Sequence, residues 1–212
     1  MHTASITEMN ENRECTRKSA GRKPLPWKHR LLGAVKNIEN IGAASPTFAR
    51  LYSRLFYREM VSREIALSEI TPGMRVLHVG CGPFPMTAMM LARFGARVTA
   101  ADIDPNALAL ARRVLERNGL SSGIRLVSGC GSILDFSGYQ AVWISLHVQP
   151  MQQVITRALD NTPPEAAVVF RGPAGILTHF YDETHTLRVG PAVQRREISQ
   201  PFGKKSILLK KG

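Results

Sequence analysis

The chain has 212 residues, of which 44% are hydrophobic, and a formal charge of +12. That length carries one α/β domain with an attached helical segment and is too short for two full domains. No apolar run approaches the roughly 18–20 residues of a membrane span, and the N-terminus lacks the apolar core of a secretory signal, so a cytoplasmic protein with reduced Cys15, Cys81 and Cys130 is expected.

Residues 1 to about 30 are polar, basic and aperiodic, with Pro24 and Pro26 opposing regular structure, and read as a flexible leader. A helical segment (31–72) and a Rossmann-like domain (73–212) follow. Ser45-Pro46 has the form of an N-cap with proline at the first helical position, starting a helix that runs to about Ile70 and stops before Thr71-Pro72-Gly73. Strands are predicted at about 75–80, 97–102, 124–128, 141–146, 166–171 and 206–210, and helices at about 85–94, 105–118 and 150–160. This alternation predicts an α/β fold with a doubly wound, mostly parallel sheet whose ligands bind at the carboxyl ends of the strands. The short segment Ser206–Lys210 suits a late antiparallel partner. The basic residues cluster at the two ends of the chain without interleaved aromatics, which favours solvated tails over a nucleic-acid surface.

The most informative stretch is Val76-Leu-His-Val-Gly-Cys-Gly-Pro-Phe-Pro-Met-Thr87 followed by Val98-Thr-Ala-Ala-Asp-Ile-Asp104. It reads as strand, glycine turn, helix and a second strand ending in carboxylates, the context of a nucleoside-cofactor site. Gly80 and Gly82 allow close approach to the backbone, and Asp102 or Asp104 would grip a ribose. The third glycine of a dinucleotide turn is replaced by Pro85 and no basic residue stands nearby, so a cationic nucleoside such as S-adenosylmethionine fits better than a pyrophosphate. Cys81, inside the turn, reads as a packing residue.

On the helix before the sheet, Tyr57, Met60, Val61, Glu64 and Ile65 share one face. A carboxylate in that apolar stripe must be paired, at the rim, or acting as a base. Arg171 ends an apolar strand at the ligand edge, where its guanidinium suits a carboxylate. Tyr181 follows in a loop with His179, Asp182 and His185, which lacks the helical face that would gather a metal site; no metal is expected. His78 and His147 lie within or beside strands and read as structural or pocket-lining.

With these residues in place, the chain resembles the nicotianamine synthase family. Gly82-Pro-Phe-Pro-Met-Thr87 is similar to that family's Gly-Pro-Leu-Pro-Leu-Thr turn, and Asp102-Ile-Asp-Pro105 to its Asp-Ile-Asp-Pro segment. Tyr57 to Glu64, and Arg171, Gly175 and Tyr181, keep its spacings. The resemblance covers roughly residues 45–210 and implies transfer of the aminocarboxypropyl group of S-adenosylmethionine to a small-molecule amine or amino-acid acceptor, releasing methylthioadenosine, on the way to a nicotianamine-like metallophore. It implies cofactor contacts at Gly80, Cys81, Gly82, Pro83, Asp102, Ile103, Ser132, Ile133 and Arg171, proton handling by Glu64 with Tyr57, and a substrate pocket with Tyr181 and His147. No membrane partner is implied, and a homodimer is compatible with it. The chain departs from the family near Ser132, at Gln140, and at Ala174 and Leu177. The alternative reading is a methyltransferase acting on a small molecule or RNA; a third is a noncatalytic nucleoside- or RNA-binding module.

Overall fold

The computed structural model describes residues 46–174, 190, 192–201 and 203–211, with side chains from Tyr57 onward. Helix α1 (Pro46–Ser68) leads into strand β1 (Arg75–Val79), helix α2 (Met86–Phe94), β2 (Arg97–Asp102), α3 (Pro105–Arg117), β3 (Ile124–Ser128), β4 (Ala141–Ile144), α4 (Met151–Asn161), β5 (Ala167–Pro173), β6 (Val193–Gln200) and β7 (Lys204–Lys211). The seven strands form one sheet in the order β3-β2-β1-β4-β5-β7-β6. Five are parallel, and β7 runs antiparallel between β5 and β6.

Local chemistry explains most boundaries. Asp104 caps α3 by accepting from Asn106 N–H at 2.8 Å, with Pro105 at the first helical position. Gly95 ends α2 in the left-handed conformation at φ 106°. β4 and β5 read as continuous apolar runs because both faces of the sheet are covered there. One face carries Val98, Trp143, Val169 and Leu208 against Met60, Val61 and Leu67 of α1 and Met89 and Leu91 of α2. The other carries Leu77, Val142, Ile144 and Phe170 against Val154, Ile155 and Ala158 of α4.

Two sequence expectations need correction. The edge strand β6 was not anticipated: Val-Gln-Arg-Arg-Glu-Ile-Ser-Gln is polar and mostly exposed, so no alternation announces it. β7 is longer than the expected 206–210 and is an interior strand, with Ile207, Leu208 and Leu209 fully buried between its two neighbours. The expected leader, the segment up to residue 45 and the loop holding His179, Tyr181, Asp182 and His185 lie outside the described residues. No described helix is long and apolar enough to cross a membrane. Cys130 is disulfide-bonded, against the expectation that it stays reduced.

Because β7 is core, Leu208→Ala should lower unfolding free energy by about 2–5 kcal/mol in urea denaturation. Glu69→Ala, which removes the exposed bridges to Arg196 and Lys210, should leave the midpoint unchanged.

Candidate cofactor and active site

The glycine turn sits at the carboxyl end of β1, at the centre of the sheet. Gly80 and Cys81 donate their N–H groups to Ala101 O at 2.9 and 3.0 Å, and Gly82 N–H donates to Asp102 Oδ2 at 2.7 Å. The other Asp102 oxygen accepts from Asp104 N–H at 3.0 Å. Gly80 has φ 75°, and a Cβ there would lie 2.5 Å from Val148 Cγ2, so only glycine fits beneath the turn after β4. Gly82 also has positive φ, but a Cβ there would meet nothing within 4 Å. Its open side is the space a bound nucleoside would enter.

Asp102 is half-buried, and each of its oxygens accepts one backbone bond with a lone pair to spare, which leaves capacity for ribose hydroxyls. Asp104 is committed to capping α3. Ile103 is 37% exposed beside Asp102, and Ser132 and Ile133 are half-exposed in the loop after β3. These apolar and small side chains stand at the carboxyl ends of neighbouring strands, where an adenine would lie. Pro83 is exposed in the turn, and His147 is exposed after β4, beside Val148. Burial, with a contribution from Asp102, pushes the Cys81 thiol up to about 12, so Cys81 is a packing thiol and no nucleophile.

The structure joins Glu64 and Arg171 in a way the sequence did not show. Glu64 is fully buried. Arg171 Nε donates to its Oε1 at 2.7 Å and Nη2 to its Oε2 at 2.8 Å. Trp143 Nε1–H adds a bond to Oε2 at 3.0 Å, and Ser206 Oγ one to Oε1 at 2.6 Å. Burial alone would lower the Arg171 pKa, but the Glu64 carboxylate outweighs it and raises it. This geometry corrects two expected roles. The Arg171 fork is filled by a protein carboxylate and is not open to one from a ligand, and Glu64, with four donors on its two oxygens and no exposed face, is a paired structural charge and not a free proton acceptor. Tyr57 is half-buried on the same face of α1 and close enough to add to the field at Arg171. Trp143, Ser206 and Thr87, which accepts from Arg171 Nη2 at 3.0 Å, were missed; Thr87 alone carried a signal, as the last residue of the proline-bearing turn.

His78 lies on β1 beneath the same cluster. Its Nε2 is 3.0 Å from Ser145 Oγ, and Nδ1 has no partner among the described residues. Burial, reinforced by the Arg171 charge, lowers its pKa to about 3, so the ring is neutral near pH 7. A polar groove of about 390 Å³ along α4 from Gln152 to Asn161 meets the candidate site only at Ser132. No group of three metal-ligating side chains occurs among the described residues.

Fold and turn together define a class I methyltransferase-like nucleoside-cofactor protein, and the Methyltransferase domain family matches residues 76–163. The L-histidine 2-aminobutanoyltransferase of Pseudomonas aeruginosa (strain UCBPP-PA14) is 31% identical over 157 residues, covering 73% of this chain and 60% of that protein. The ubiquinone biosynthesis O-methyltransferase of Methylocella silvestris is 41% identical over a shorter 78 residues, 37% of this chain and 30% of that protein. Among solved structures, MtNAS in complex with S-adenosylmethionine superposes with a TM-score of 0.67 at 21% identity, covering 96% of this chain and 72% of that one. Within its class the chain is nicotianamine synthase-like. It spans 30% to 60% of the length of the curated relatives it matches.

Two outcomes test the cluster. Glu64→Gln leaves a buried guanidinium without its counter-charge and should cost about 3–5 kcal/mol of stability; wild-type stability with lost turnover would return Glu64 to the role of a base. The unfolded chain protonates its histidine near 6.5 and the folded one only near 3, so the contribution of His78 is fully present above about pH 6.5 and is lost as pH falls towards 3. His78→Gln should flatten the fall of the denaturation midpoint between pH 7 and 4.

Proposed function

We propose that the protein transfers the aminocarboxypropyl group of S-adenosylmethionine to the amine of a small amino-acid acceptor, histidine or a relative of it, and releases methylthioadenosine, as a step towards a nicotianamine-like metallophore. The observation that carries the cofactor assignment is the clamp of Gly82 N–H on Asp102, with open space over Gly82 and no basic residue in the turn. A cationic sulfonium nucleoside suits that acidic, uncradled site. The assignment of the transferred group is supported by the Pro83-Phe-Pro-Met-Thr87 continuation of the turn and by the curated relatives named above.

The cofactor would lie across the carboxyl ends of β1 and β2, its ribose on Asp102 and its adenine against Ile103, Ser132 and Ile133. The acceptor amine, in its neutral form, attacks the methylene carbon bonded to sulfur; the new C–N bond forms as the C–S bond breaks and its electron pair returns to sulfur. The amine proton then leaves to solvent or a nearby base. Which carbon of the sulfonium reacts depends on which is held in line with the nucleophile at about 3–3.5 Å. Tyr57 is the member of the expected Glu64 and Tyr57 pair that keeps a partly open side chain, and we assign its hydroxyl to orienting the amine. His147 and Tyr181 are assigned to the acceptor side of the pocket.

The second reading, transfer of the methyl group, draws support from the Methyltransferase domain match, because the glycine turn and Asp102 serve either chemistry. Mass spectrometry of protein incubated with S-adenosylmethionine and a panel of amino acids including histidine separates them. Methylthioadenosine with an acceptor heavier by one aminocarboxypropyl unit is expected, whereas S-adenosylhomocysteine with a methylated acceptor would replace the proposal by the second reading.

A further inference from the structure

The turn that carries the cofactor reading has little to hold it from within. Between Gly82 and Thr87, Pro83 and Pro85 have no N–H to donate, and Met86 N–H is used inside the turn, on Phe84 O at 2.7 Å. Pro85, at the N-cap of α2, offers no capping side chain. Phe84, between the two prolines, is 67% exposed and contributes little packing. Among the described residues, hydrogen bonds tie this stretch to other elements at its two ends. Gly82 N–H is bound to Asp102 on β2, and Thr87 Oγ1 accepts from Arg171 on β5. These strands lie on opposite sides of β1 in the sheet order, so the turn is strung between two anchors with the central strand beneath it.

The second anchor is unusually well fixed. Arg171 Nη2 has two hydrogens, one given to Glu64 Oε2 and the other to Thr87 Oγ1. Glu64 is itself held by Trp143 and Ser206. Thr87 is 2% exposed, so its hydroxyl is confined to that one geometry, and the first turn of α2 inherits it. We propose that Thr87 is a positioning residue: its hydrogen bond from Arg171 sets where the Gly82–Met86 turn stands relative to Asp102, and thereby the affinity for S-adenosylmethionine. Arg171 then acts on the cofactor through Thr87 and the turn. The inference rests on the cofactor reading above and adds to it a residue and a route.

Isothermal titration of the full chain with S-adenosylmethionine tests it, because dissociation constant and stoichiometry are read separately. Thr87→Val keeps the shape and removes the acceptor; it should weaken binding about tenfold, the loss of one hydrogen bond to a charged donor, with the stoichiometry unchanged. Thr87→Ser keeps the hydroxyl and should bind within about twofold of wild type. Thr87→Ala, which adds no methyl beside the guanidinium, gives the same comparison if the valine variant does not fold. A reduced stoichiometry at wild-type affinity would show that Thr87 only supports folding and would overturn the proposal, as would failure of serine to restore affinity. Absence of binding by the wild-type chain would overturn the cofactor reading itself and the proposal with it.

Discussion

The ion pair of Glu64 and Arg171 is the constraint on which the rest of the arrangement depends. Two full charges removed from water are tolerable only when every remaining hydrogen-bonding position is filled, and here the filling is done by side chains from three further elements: Trp143 from β4, Ser206 from β7 and Thr87 from α2. Satisfying one carboxylate therefore fixes how the N-terminal helix, the middle of the sheet, the antiparallel strand and the cofactor turn sit relative to one another. An apolar replacement of the pair could be as stable, but it would not specify that relation, since apolar contacts tolerate sliding that hydrogen-bond geometry does not.

The consequence for chemistry is a division of labour. The buried cluster carries charge but does not face the ligand; the ligand-facing surface is built from backbone N–H groups, one half-buried carboxylate and small or apolar side chains. A site with Asp102 as its main charge and a neutral histidine beneath it keeps the local field from turning positive. A sulfonium requires such a field, and a pyrophosphate would not.

Much of this was legible in the sequence because it is local. The strand, turn and helix from Val76 to Phe94, the ribose-side Asp102 and the cap at Asp104 each depend on residues within a few positions, and periodicity and turn chemistry report them. What was not legible is nonlocal. Nothing near Glu64 announces that its partners stand 79, 107 and 142 positions further along, so spacing alone left it open as pair, rim residue or base. Arg171 was rightly placed at the ligand edge of β5, yet which carboxylate it would meet depended on α1 packing over that edge. The strand β6 escaped for a different reason: as an edge strand it is specified by pairing with β7, and its outward polar residues suppress the pattern by which a strand is read.

The position of β7 between β5 and β6 also bears on the order in which the molecule can be made. A ribosome delivers Glu64 first, then Trp143, then Arg171 and only much later Ser206, while the strand completing the interior of the sheet is the last described element to emerge. Until that strand slots in beside β5, the carboxylate lacks one of its donors and β5 has an open edge. The nascent chain must therefore keep a polar group hydrated at the place where its core will close, so burial of Glu64 is one of the last events of folding although its helix is the first described element synthesised.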